Sequence, residues 1–180
     1  MASQVCDRHS CVVWFYNPAM EEVSLGSFVN KCVAALDGPF CHTELQFPDG
    51  NACSIVMHGC VRMWKRTFDP CFYTGLRVQT TEAKVKKAQE VAQTLIDAPT
   101  PFSFWATGNV HATHTYCSKL VRDILIDSEV YSPTFYSQKS SWFTPSGVYR
   151  HLLQETNVSF HRMSAKISPI DFSVTNSSGA

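Results

Sequence analysis

"THTYCSKLVRDIL", residues 113–125, sets Cys117 at the start of a helical pattern. Leu120, Val121, Ile124 and Leu125 recur at three- and four-residue spacing, so they share the inner face of an amphipathic helix. An ordinary thiol has a pKa of about 8.5 and is only a few per cent thiolate near neutral pH. The unpaired N–H groups and the dipole of a helix N-terminus lower that value, and a neighbouring imidazolium lowers it further. The same N–H groups can stabilise an oxyanion during acyl transfer. Cys117 is therefore a candidate nucleophile. The competing reading is one more buried apolar thiol among eight cysteines.

Working outward, "TPFSFWATGNVHATHTY" (100–116) is a loop leading into that helix, and its "FWATGNVHATH" part (104–114) reads as a surface loop or a lid. Before the loop, "TTEAKVKKAQEVAQTLIDAP" (80–99) is the clearest helix. Val85, Ala88, Ala92 and Leu95 line one face, Glu82 sits in the first turn and Pro99 stops it. Nearer the N-terminus, "CVVWFY" (11–16) is a short, continuous apolar run typical of a buried strand. "SLGSFVNKCVAAL" (24–36) has helical periodicity with Ser24 as N-cap, ended by Asp37-Gly38-Pro39.

"CHTELQF" (41–47) alternates, "PDGN" (48–51) is a turn signal, and "CSIVMHG" (53–59) reads as the returning strand of a hairpin. "FYTGLRV" (72–78) is a further strand, and "TPSGVYRHLLQ" (144–154) starts a helix with Thr144 as N-cap and Pro145 at the first helical position. Residues 1–163 read as one domain and 164–180 as a polar tail.

The 180 residues suit a single core, and 15 basic residues balance 15 acidic ones. That balance gives no reason to expect a nucleic-acid partner. No stretch has the apolar length of a membrane span. The beginning of the chain, "MASQVCDRHS", lacks an apolar signal core, so a cytoplasmic location with reduced cysteines is expected. The sequons at Asn157 and Asn176 carry no meaning in that compartment.

Two histidines fall on the hairpin. His42 sits early in its first strand and His58 at the end of its second, so both lie near one end, close enough for one ring to orient the other. With Cys117 they form a thiol-hydrolase constellation of nucleophile, base and orienting group. Glu44, two residues from His42 and on the same face of the strand, competes with His58 for the third role. His58 is preferred because a neighbouring-strand residue can lie directly opposite His42. A zinc reading would draw on His111, His114 and Cys117 with Cys53, His58 and Cys60. No Cys-x2-Cys pair supports it, and no metal or other cofactor is expected. Other templates are missing: there is no G-x-S-x-G, phosphate-binding glycine loop or H-E-x-x-H.

The order of these motifs resembles the circularly permuted NlpC-like papain-fold hydrolases. "CHTELQF" is similar to that family's histidine strand and "VMHG" (56–59) to its next strand. "PFSF" (101–104) is similar to its aromatic stretch, "YCSKLV" (116–121) to its cysteine helix, and "FTPSG" (143–147) to its later helix start. The resemblance spans residues 11 to about 153. It implies an α+β, permuted papain-like fold, with an antiparallel sheet or small barrel packed on the helix carrying the cysteine. It further implies Cys117 as nucleophile, with its backbone N–H in the oxyanion hole, His42 as general base and acid, and His58 or Glu44 as orienting residue. The expected activity is hydrolysis of an amide, peptide or isopeptide bond in a peptide, protein or other amide substrate. The lecithin retinol acyltransferase group shares the His, His, Cys order and would imply a phospholipid substrate. Its Asn-Cys-Glu-His-Phe motif is not matched by "TYCSKLV", so it ranks second. A papain-fold binding module without activity is the non-enzymatic alternative.

Overall fold

The computed structural model describes residues 7–20, 30–32, 34–35, 37–57, 59–103, 114–131 and 144–161. Six strands form one antiparallel sheet: β1 (Ser10–Tyr16), β2 (His42–Gln46), β3 (Asn51–Ser54), β4 (Arg62–Lys65), β5 (Tyr73–Gln79) and β6 (Val158–Phe160). Their order is β4-β3-β2-β1-β5-β6, with β1 and β2 in the middle. The helices are α1 (Glu82–Asp97), α2 (Cys117–Asp127) and α3 (Pro145–Leu152). The chain is thus of the α+β class.

The β1 run is uniformly apolar because both of its faces are covered. Cys11, Val13 and Phe15 join the main core with Leu45, Leu76, Val78 and the helices, whereas Val12 and Trp14 join a smaller cluster with Ala52, Phe68 and Tyr73. β1 pairs with β2 through Val12–Gln46 to Tyr16–His42, and with β5 through Ser10–Gln79 to Tyr16–Tyr73. The hairpin after β2 turns where "PDGN" stands, with Gly50 at φ +86°, a conformation that costs glycine little. Its register is Leu45–Cys53 and Gln46–Ala52.

Two elements were not expected from the sequence. β4 is a four-residue strand with charged ends, and β6 has only three residues. Both lie at sheet edges, where short strands with little apolar pattern are common. The returning strand of the hairpin is also shorter than expected. It ends at Ser54 and does not reach 59. Of the 24–36 helix, residues 30–32 and 34–35 are helical. Residues 24–29, His58, 104–113 and the 164–180 tail lie outside the described residues.

Helix α1 buries Val85, Ala88 and Ala92, the face that its periodicity defines, and Thr81 caps it by accepting from the Lys84 N–H. It packs on α2 and β1, while α2 packs on β2, β3 and α3. As a result α2 is enclosed on all sides. Every residue from Cys117 to Leu125 is buried, where the sequence led us to expect a single inner face. The polar side is accommodated by a buried charge cluster. Asp123 pairs with Lys119 one turn earlier and takes Arg122 Nη2 at 2.6 Å and Nε at 2.8 Å.

Two substitutions test this architecture. A Cβ on Gly75 would lie 2.7 Å from the Trp14 ring, which is stacked on Phe68 at 4.5 Å. Gly75→Ala should cost about 1–3 kcal/mol in urea unfolding, as overpacking does. Asp123→Ala removes the carboxylate that pairs with the buried Lys119 and should cost about 3–5 kcal/mol in the same measurement.

Candidate active site

The N-terminus of α2 meets the beginning of β2, and each approach is anchored. The segment leading to Cys117 is held by Thr115 N–H donating to Pro101 O at 3.0 Å and Ser103 N–H donating to Thr115 O at 2.8 Å. The segment leading to His42 is held on α3. Phe40 N–H donates to Ser146 Oγ at 3.1 Å, and Asp37 receives Arg150 Nη2 at 2.7 and 2.8 Å together with the Thr144 hydroxyl. The Cys41 N–H then donates to Tyr16 O at 3.1 Å, which closes the ladder ahead of His42.

Cys117 is the first residue of its helix, after Tyr116 in extended conformation. Its thiol is 9% exposed as part of the core. Burial pushes its pKa up, while the backbone N–H groups of Thr43, Ser118 and Cys117 and the Ser118 hydroxyl pull it down. Burial wins, so the thiol at rest is protonated. The helix terminus alone does not make the thiolate that the sequence suggested.

His42 occupies the first position of β2, with its side chain 20% exposed. Its Nε2 lies 3.0 Å from Ser54 Oγ and 3.7 Å from Glu44 Oε1. Burial, and then the Arg66 guanidinium, push its pKa down to about 4. The imidazole is therefore neutral at pH 7. No hydrogen bond joins it to Cys117 in this state. The backbone N–H of Thr43, the residue after His42, is among the groups that pull the Cys117 pKa down.

Glu44 has no exposed surface. Arg66 Nη1 lies 3.0 Å from its Oε1 and donates to Oε2 at 3.2 Å, and the Tyr73 hydroxyl donates to Oε1 at 3.4 Å. Arg66 Nη2 donates to that hydroxyl at 2.6 Å. Burial raises Glu44 to about 7 despite these partners. Its charge in turn adds to the burial that raises Cys53 to about 12.

The structure thus groups His42 with Glu44 on one strand face and with Ser54 on the next strand. His58, the preferred orienting residue, lies outside the described residues, and β3 has already ended before it. Ser54 carries no sequence motif that marks it; the strand register places it, since continuing the Leu45–Cys53 pairing by one residue sets Ser54 opposite Glu44. Among the described residues, no group of three or more His, Cys, Asp or Glu could hold a metal ion, and no helix is long and apolar enough to cross a membrane. His58 and His111 of the zinc reading lie outside them.

Comparison of the chain with protein-family models, curated proteins and solved structures finds no match.

The two shifted groups oppose one another in stability. His42 titrates at about 4 folded against 6.5 unfolded, so stability should rise with pH across that window. Glu44 titrates at about 7 folded against 4.5 unfolded, so the folded state holds the extra proton and stability should fall across that window. Urea unfolding of the wild type between pH 4.5 and 6.5 should therefore be nearly flat as far as this pair is concerned. Glu44→Gln should unmask a rise with pH, and a falling or unchanged slope would contradict the assignment.

Proposed function

We propose that the protein is a thiol hydrolase of permuted papain-like fold, with Cys117 as nucleophile and His42 as general base and acid. The third role falls to Ser54, backed by Glu44. The reading is supported by one observation above the others: Cys117 is the first residue of a helix that packs on the strand opening with His42, whose Nε2 lies 3.0 Å from Ser54 Oγ.

The chemistry follows from the neutral resting pair. The cycle requires the His42 ring, which at rest faces Glu44 and Ser54, to reach the Cys117 sulfur once substrate is bound; with Nε2–H donating to Ser54 Oγ, Nδ1 carries the lone pair that takes the thiol proton. As the sulfur attacks the acyl carbon, that proton passes to Nδ1 and charge develops on the carbonyl oxygen. The amides of Cys117, Ser118 and Thr43 are the nearby donors that can stabilise such an oxyanion. The carbon–nitrogen bond breaks, His42 gives its proton to the leaving amine, and a thioester remains on Cys117. Water, deprotonated by His42, then releases the acid and restores the thiol. Thiol and imidazole thus separate charge only when substrate is present and water is excluded, a state in which the attraction between them is strongest.

The substrate class is an intracellular peptide, isopeptide or small amide. A panel of fluorogenic peptide, isopeptide and amide substrates, with a phospholipid ester alongside, tests it. Turnover of an amide member should fall by about 10³-fold or more in Cys117→Ala and about 10²–10⁴-fold in His42→Ala, and intact-protein mass spectra should show an acyl adduct on Cys117. Turnover that persists in Cys117→Ala would sink the reading, and turnover of the phospholipid alone would favour the acyltransferase alternative.

A further inference from the structure

We infer that Arg66 and Tyr73 are positioning residues which, through Glu44, set the ring nitrogen of His42 that is free to accept a proton. This rests on the thiol-hydrolase reading above and extends it to residues that touch no substrate.

The geometry is a closed ring. One nitrogen of Arg66 meets the Glu44 carboxylate, the other meets the Tyr73 oxygen at 2.6 Å, and the Tyr73 hydroxyl returns to Glu44 at 3.4 Å. The guanidinium is also held between aromatic faces, 5.2 Å from Phe68, 5.4 Å from Tyr73 and 5.7 Å from Trp64. A planar fork so fixed can bridge two oxygens at once, which a lysine cannot do.

A fully buried carboxylate keeps its charge only while paired. When charged, Glu44 favours a proton on the nearby Nε2, from which N–H can donate to Ser54 Oγ. Nδ1 is then the basic nitrogen. Without the guanidinium, Glu44 takes up a proton at neutral pH, since it stands at about 7 even with Arg66 in place. A neutral carboxyl 3.7 Å away no longer favours the proton on Nε2, so the Ser54 hydroxyl can donate to Nε2, the proton of the ring moves to Nδ1, and the lone pair needed for the thiol is lost.

The other groups around this pair do not replace the guanidinium. Ser54 on β3 is uncharged, Cys41 beside His42 and Cys53 on β3 are thiols, and Cys117 on α2 is held protonated. Arg62 on β4 acts on Glu44 only through space, and is the weakest of the influences on it. His58 lies outside the described residues.

The test compares wild type with Arg66→Gln, Arg66→Lys and Tyr73→Phe. Imidazole ¹⁵N spectra at pH 8, above the Glu44 value of about 7 in the wild type, with the His42 signal assigned by its absence in His42→Gln, should show the Nε2–H form in wild type and the Nδ1–H form in Arg66→Gln. With the amide substrate, Arg66→Gln should lose about 10²-fold in kcat, the size of a general-base contribution, with KM nearly unchanged. The acidic limb of its pH profile should move upward, so that activity recovers at higher pH. Arg66→Lys should restore part of the loss. A purely structural role would lower activity without moving that limb or the tautomer. If Arg66→Gln does not fold, Tyr73→Phe, which removes one hydroxyl, should shift the limb and the tautomer in the same direction by less. His42 in the Nε2–H form in every folded variant, with no shift of the limb, would overturn the inference. A tautomer shift in a protein without amidase turnover would uphold the coupling and overturn the hydrolase reading instead.

Discussion

A carboxylate with no exposed surface has to be paired or protonated, and Glu44 in the middle of β2 imposes that constraint on half of the sheet. Arg66 is drawn across the sheet to meet it, and the Arg66 stem and guanidinium lie against Phe68 and Tyr73. Those rings in turn close over Trp14, which requires Gly75 opposite it. The second, smaller core therefore exists around a charge. Its apolar members bury the ion pair, and the ion pair gives the sheet a polar network that reaches His42.

Both faces of β2 take part in the site. The side chains of His42 and Glu44 belong to the face of this network, while the Thr43 backbone meets the helix that carries Cys117. A five-residue strand thus connects a buried charge on one side of the sheet with a buried thiol on the other. The anchoring of the preceding residues on α3, by Asp37, Arg150 and Ser146, sets where that strand starts. Both groups are neutral at rest: at Cys117 burial outweighs the N–H and hydroxyl partners, and at His42 burial and the Arg66 cation act together. In such a site reactivity depends less on a preformed ion pair than on which nitrogen of the ring carries its single proton.

Much of the framework was legible in the chain. The unbroken apolar run of β1 announced a buried strand, the spacing of Val85, Ala88 and Ala92 announced a helix face, and Thr144-Pro145 announced a helix start. These are local patterns, set by side-chain period and by the caps that orphan N–H groups require. What local pattern could not give was partnership. β4 and β6 hold their places by ladder bonds to one neighbour each, with no apolar stripe to mark them. The burial of the polar side of α2 depends on Asp123 pairing with Lys119 and Arg122 between neighbours that are distant in sequence.

The candidate site divides along the same line. The sequence alone determined that Cys117 begins a helix, that His42 begins a strand and that Glu44 shares its face, because helix and strand periods are properties of consecutive residues. The tertiary structure decided that Ser54 holds the His42 ring, that Arg66 and Tyr73 close around Glu44, and that the thiol is held protonated. Those outcomes depend on strand register and on how deeply each group is removed from water. Both are settled only when segments far apart in the chain pack together.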